Sequence, residues 1–228
     1  MRAAESGHEG MVKLLLRRKN VNPDSRNDDG RTPLWLASKC GHEEVVKLLL
    51  GRKTVKPNSR DAYGSTPRWY EGIAKLFHGR KEVNPDSKDC DGRTPLLCAA
   101  MRGYEGVVKL FLHQREVNPD SIDITGQSSL LYAASRGHEG IVKLLLDRKE
   151  VNPGSRNSIG ATPLSCAAGG GHEGIVKLLL HRKEVNPDSK DCDCRTPFGY
   201  AAKAGHEGIV KLLLGRKEVN PDSKDCDC

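Results

Sequence analysis

Five Gly-His pairs, with imidazoles at His8, His42, His138, His172 and His206, and two Cys-x-Cys pairs, Cys192-Asp193-Cys194 and Cys226-Asp227-Cys228, carry the side chains best suited to metal or redox chemistry. Zinc requires nitrogen or sulfur ligands about 2.0–2.3 Å from one ion, and its cysteine pairs are normally separated by two to four residues. The histidines begin successive copies of one helix, and packed helices stand about 8–10 Å apart. Such a ladder cannot converge on a single ion, and Tyr104 replaces the histidine in one copy. Cys90 occupies the same place as Cys192, so duplication of a turn accounts for the cysteine pairs. No metal and no cofactor is expected.

Arg-Lys pairs at 52–53, 80–81, 148–149, 182–183 and 216–217 would align into a basic stripe able to meet phosphates. Glu82, Glu150, Glu184 and Glu218 follow four of them directly. The pairs Glu43–Lys47, Glu105–Lys109, Glu139–Lys143, Glu173–Lys177 and Glu207–Lys211 stand at helical i,i+4 spacing in the favourable order. Structural roles therefore absorb much of the charge. The net charge is +7, from 37 basic and 30 acidic residues, and aromatics make up 4% of the chain. Few bases could stack on so few rings, so a nucleic-acid-associated module is the alternative and not the leading reading. No Gly-x-Ser-x-Gly, Gly-Lys-Ser/Thr or His-Glu-x-x-His string is present, and Gly169-Gly170-Gly171 reads as an inter-helix turn. Neither an enzyme nor a small-molecule substrate is expected.

What positions these residues is a repeat. Copies of Val-Asn-Pro-Asp-Ser place prolines at 23, 57, 85, 119, 153, 187 and 221; five of the six intervals are 34 residues and one is 28. A fixed period of this length signals a solenoid, whose units bury their apolar faces only against their neighbours. That suits a chain of 228 residues with 36% hydrophobic content. In the copy at 123–156, Asp123-Ile124-Thr125-Gly126 reads as a turn and Ser128 as a helix N-cap. Leu130, Leu131, Ala133 and Ala134 form a first helix, and Gly137 ends it. Ile141, Val142, Leu144, Leu145 and Leu146 give a second helix its apolar stripe. Asn152-Pro153 forces an extended exit.

Gly160-Ala161-Thr162-Pro163-Leu164, then Ala167-Ala168, then the run Gly171-His172-Glu173-Gly174-Ile175-Val176-Lys177-Leu178-Leu179-Leu180, resembles the ankyrin-repeat consensus. Equivalent strings recur at Thr32, Thr94, Ser128 and Thr196, so the resemblance covers nearly the whole chain. It implies an all-α ankyrin-repeat solenoid of stacked helix-turn-helix units with β-turn fingers, curved, and binding on its concave face. One array over 1–228 is expected, with a partial unit 1–26, units 27–60, 89–122, 123–156, 157–190 and 191–224, a short unit 61–88, and a partial unit 225–228. The sequence departs from the family pattern in three places. Trp35, Leu97, Leu131, Ser165 and Gly199 stand where histidine usually follows Thr-Pro-Leu. Arg-Lys-Glu-Val-Asn-Pro-Asp replaces a loop that usually holds glycine. Cys194 and Cys228 take the turn position that glycine holds elsewhere, where positive φ disfavours a side chain.

The unit 61–88 is six residues short, which predicts a weak seam near 66–72 with Trp69 and Tyr70 in the gap. Both ends fall within a unit, so a section of a longer array, or a decayed fragment of one, is a third reading. The longest apolar runs are only a few residues, far from the ~20 of a membrane span, and no signal segment is evident. The cysteines do not suggest a disulfide framework. An intracellular chain, cytoplasmic in preference to nuclear, is expected.

Positions that repeat unchanged serve the shared architecture; those that vary are available to a partner. The variable ones are the finger tips Ile124, Thr125, Gln127, Ser158, Ile159 and Ala161, and the first-helix ends Met101, Arg102, Ser135 and Arg136. The expected activity is non-enzymatic: a protein-interaction module or scaffold that holds another protein there, with Ile124 and Ile159 as apolar anchors.

Overall fold

The computed structural model describes residues 1–64, 76–77 and 84–221. Its twelve helices with described bounds form six pairs: Arg2–Glu5 with Glu9–Leu16, Pro33–Lys39 with Glu43–Leu50, Pro95–Arg102 with Glu105–Leu112, Ser129–Arg136 with Glu139–Leu146, Pro163–Gly169 with Glu173–Leu180, and Pro197–Ala204 with Glu207–Leu214. Extended pairing among the described residues is limited to an isolated bridge between Ile122 and Ser128. The chain divides into two compact units: Met1–Ala99 with Lys109–Val117, and Ala100–Val108 with Asn118–Cys228. The seam expected at 66–72, with Trp69 and Tyr70, lies outside the described residues.

The first helices start as their sequences dictate. Thr32, Ser128, Thr162 and Thr196 each accept a hydrogen bond from the amide three residues on, at 3.2 Å, and proline follows three of them. At Thr162 the hydroxyl of Ser165 takes the amide of the cap residue in return, completing a capping box. Gly137 and Gly205 then end their helices in the left-handed conformation, at φ 77° and 75°. In the second unit the first helices stack on one another, as do the second helices. Leu130, Leu131, Leu164, Ile175 and Leu179 are among the most buried side chains, and Ala133, Ala134, Ala167 and Ala168 let the layers approach closely.

The recurrent Asn-Pro-Asp-Ser loop works without a glycine. The side-chain oxygens of Asn22, Asn118 and Asn186 accept from the amides of Asp24, Asp120 and Asp188 at 2.9, 3.0 and 2.9 Å, closing a turn on the asparagine itself. The aspartate then reaches the next loop: Asp24 accepts from the amide of Lys56 at 2.9 Å, and Asp188 from that of Asn220 at 3.3 Å. Burial pushes the Asp120 carboxyl up, and the Asn152 amide beside it partly offsets that.

Cys166, inside the helix Pro163–Gly169, is buried enough that its thiol is pushed up to about 11. The thiolate is the reactive form, so at pH 8 Cys166 should alkylate on the order of 100-fold more slowly than an ordinary thiol of pKa ~8.5. Cys40, Cys90 and Cys192 are exposed. Mass-resolved labelling with iodoacetamide should modify these three well before Cys166. Equal rates at all four would contradict the packing described.

Candidate partner-binding surface

Each finger is built around one carboxylate or amide. Asp123 is buried, and its Oδ1 accepts from the amides of Thr125 and Gln127 at 2.8 and 3.0 Å and from the Thr125 hydroxyl at 2.7 Å. Its Oδ2 accepts from the phenol of Tyr132 at 2.8 Å, which ties the finger to the first helix. Burial pushes the Asp123 carboxyl up, but these donors together outweigh it and leave the group below its ordinary value. Asn157 repeats the turn, accepting from the amides of Ile159 and Ala161 at 3.2 and 2.9 Å. Asp191 repeats both features: amides of Asp193 and Arg195 at 2.9 and 2.8 Å, and the Tyr200 phenol at 2.5 Å. Burial and the Asp191 carboxylate push the Tyr200 phenol up to about 12.

Neighbouring fingers are joined through the main chain. The Ser158 amide donates to the Thr125 carbonyl at 2.9 Å, and the Cys192 amide to the Ile159 carbonyl at 3.0 Å. Fixed in this way, Ile124 is 72% exposed and Ile159 57% exposed, so most of each side chain stands in solvent. Thr125 and Ser158 are also exposed, and Gln127 is partly so. Ala161 is different: it is buried, because its amide and carbonyl both close the turn on Asn157 and its methyl faces inward. The expectation that Ala161 offers contact surface is corrected accordingly.

Ser135 and Arg136 are exposed at the far end of the first helix, and Met101 and Arg102 are half-buried at the equivalent place. From Ser128 to Ser135 the helix advances about 10 Å at 1.5 Å per residue. The candidate residues thus form two strips, finger tips and helix ends, separated by the first helix.

The histidines link successive copies. The Nε2–H of His172 donates to the Ser135 carbonyl at 3.2 Å, that of His206 to Gly169 at 3.1 Å, and that of His42 to Glu5 at 2.9 Å. His42, His138, His172 and His206 stand at the N-caps of their own helices but make no side-chain cap bond there. The glycine of one Gly-His pair makes room for the histidine of the next copy: a Cβ on Gly137 would lie 2.7 Å from the ring of His172, and one on Gly171 2.7 Å from that of His206. Packing of these histidines between copies is what their place at the start of each second helix leads one to expect; the fit of each ring beside the glycine 35 residues earlier is not visible in the local sequence.

Part of the basic stripe is consumed in the same manner. Arg52 donates to the Leu16 carbonyl at 2.7 Å and Arg216 to that of Leu180 at 3.2 Å, each capping the end of the preceding second helix. Arg182 pairs with Asp147 at 3.7 Å. The expected pairs Glu139–Lys143 and Glu173–Lys177 form at 2.7 and 2.6 Å. Lys47 instead pairs with Glu44, one position nearer than the expected Glu43, at 2.6 Å; no ion pair joins Glu207 and Lys211. Cys194 is the one non-glycine residue at positive φ among the described residues, at 59°, in the turn where glycine was expected. It is disulfide-bonded, contrary to the expectation of unpaired cysteines, while Cys192 beside it is a free thiol. None of the described helices is long and apolar enough to cross a membrane.

Comparison with known proteins agrees with this geometry. The family described as ankyrin repeats (3 copies) matches residues 1–70, 68–157 and 149–225. The structure is similar to the crystal structure of the ankyrin repeat domain of Bcl-3, described as a unique member of the IkappaB protein family, with a TM-score of 0.70, 24% identity, and coverage of 93% of this chain and 96% of that one. At that identity the likeness speaks for the fold alone. No curated protein matches the sequence. With matches that span nearly its whole length and with the paired helices and turns they require, the chain belongs to the ankyrin-repeat family.

Proposed function

We propose that this chain is a non-enzymatic interaction module that holds a protein partner on its finger tips and first-helix ends. Ankyrin repeats in general serve as protein-interaction modules; the finer reading assigns Ile124, Thr125, Gln127, Ser158 and Ile159, with Met101, Arg102, Ser135 and Arg136, as the contact residues. The observation that carries it is the pair of exposed isoleucines, 72% and 57%, on two fingers locked together by the Ser158–Thr125 hydrogen bond. Large apolar side chains on a backbone fixed by hydrogen bonds gain the burial of their area on binding at a reduced ordering cost. Ser135 and Arg136 add polar groups that suit a rim around an apolar centre.

The test is Ile124→Asp combined with Ile159→Asp, measured by calorimetry against a protein partner captured on the immobilised wild-type chain. Loss of two apolar anchors should weaken binding by about 30-fold or more, from ~1 kcal/mol per isoleucine. Thermal stability should change by less than ~0.5 kcal/mol, since both side chains are exposed. Unchanged affinity with unchanged stability would remove the isoleucines from the contact.

A further inference from the structure

We infer, resting on the finger-tip surface proposed above, that the partner is an acidic peptide segment in extended form. It carries an apolar residue for Ile124 and Ile159 and, three or four positions away, a carboxylate for the cations at the first-helix ends. In the second unit the helix Pro163–Gly169 lies between Ser129–Arg136 and Pro197–Ala204. Each of the two outer helices ends in an exposed cation, Arg136 and Lys203. None of these three first helices contains an acidic residue.

These cations differ from those that follow the second helices. There, Arg148 has Glu150 at 3.6 Å, Arg182 has Asp147 at 3.7 Å, and Arg216 is held on the Leu180 carbonyl. Among the described residues the side chains of Arg136 and Lys203 form no ion pair with a carboxylate. A carboxylate arriving from outside therefore gains charge-assisted hydrogen bonds without displacing an internal one. Between the two cations the chain is bare, because Gly169 and Gly170 stand where the preceding copy has Ser135 and Arg136. The packing keeps it bare: a Cβ on Gly170 would meet the His172 ring at 2.6 Å, and one on Gly169 would crowd the Tyr200 ring at 3.3 Å. Main chain without side chains leaves room for a segment to lie close.

The spacing follows from the first helix, which separates finger tips from helix ends by about 10 Å. An extended segment covers that distance in about three residues at ~3.3 Å each. Its apolar residue would sit on the isoleucines and its carboxylate beside Arg136, with Lys203 across the bare copy drawing the same charge. Nucleic acid would satisfy the cations through its phosphates but offers nothing apolar to Ile124 and Ile159, which favours a peptide. The charge would set specificity and the rate of encounter, and the isoleucines the burial.

The experiment selects random dodecapeptides displayed on phage against the immobilised full chain, then measures the enriched peptides in solution by fluorescence anisotropy. Enriched sequences should pair an apolar residue with Asp or Glu three or four positions away. Arg136→Glu with Lys203→Glu should raise their dissociation constant about tenfold or more. Peptides with Lys in place of the acid should regain affinity for that reversed chain. Arg136→Gln with Lys203→Gln only removes charge; it should weaken binding in the same direction and covers the case in which reversal impairs folding. Ile124→Asp with Ile159→Asp separates this inference from the surface it rests on. If that pair abolishes binding while charge reversal leaves it unchanged, the finger tips stand and the acidic segment falls; if binding is indifferent to the isoleucines, both fall. Failure to enrich any peptide, or enrichment without an acid at that spacing, would also overturn the inference. So would displacement of the peptides by arbitrary duplex DNA, which would assign the cations to phosphates.

Discussion

Replacing Gly137 with alanine should destabilise the array by about 2–4 kcal/mol. Two penalties combine. A left-handed conformation at φ 77° costs a residue with a Cβ about 1–2 kcal/mol. The new methyl would also lie 2.7 Å from the His172 ring and displace it from the Ser135 carbonyl; the lost hydrogen bond and the repacking add about 1–2 kcal/mol. Gly205→Ala provides the control, because its φ is 75° but no atom lies within 4 Å of the added carbon. In dilute solution it should lose only about 1–2 kcal/mol. Urea unfolding of both variants by circular dichroism separates the terms. Equal losses would mean that the histidine socket contributes nothing.

Asp123→Ala should be of similar size, about 2–3 kcal/mol, since it removes the acceptor for the Thr125 and Gln127 amides and for the Tyr132 phenol at once. Asp123→Asn should cost far less, because Asn157 already closes the neighbouring finger with the same geometry. The aspartate also confers a pH dependence whose sign follows from its lowered value. Its stabilisation is complete above the unfolded carboxyl value of ~3.9 and is lost as pH falls through the lower folded one. Acid titration of urea stability should therefore show a shallower decline for Asp123→Asn than for wild type below pH ~4. Parallel curves would place the charge elsewhere.

The parts of the fold that depend on neighbours in sequence were legible from the sequence. The Thr-Pro helix starts, the glycine helix ends and the apolar stripe of Ile141 to Leu146 all follow from short-range preferences, and the structure places each as expected. Parts that depend on a residue in another copy were harder to read. Gly137 looks like a simple helix terminator until His172 is seen in the space beside it. The Asp123–Tyr132 latch spans nine residues and leaves its trace only in the joint recurrence of aspartate and tyrosine at 191 and 200. Ala161 varies between copies like a surface position, yet the turn on Asn157 draws it inside. Variation between copies identifies positions released from the shared frame, and it does not distinguish solvent from a loosely specified interior.

The same reasoning explains why the finger tips are the strongest candidate surface. Constant residues in each copy are accounted for by caps, sockets and links between copies, and the arginines at 52 and 216 are drawn into that frame. The exposed isoleucines have no such structural use, while the main-chain bonds that hold their fingers keep the spacing between them fixed.

Amide hydrogen exchange of the chain, alone and saturated with a captured protein partner, tests that assignment most directly. The account predicts that slowing on binding concentrates in the fingers 123–127 and 157–161 and at the helix ends 101–102 and 135–136, with the second helices 139–146 and 173–180 unchanged. Protection confined to those second helices, with the finger amides exchanging as in the free chain, would contradict it.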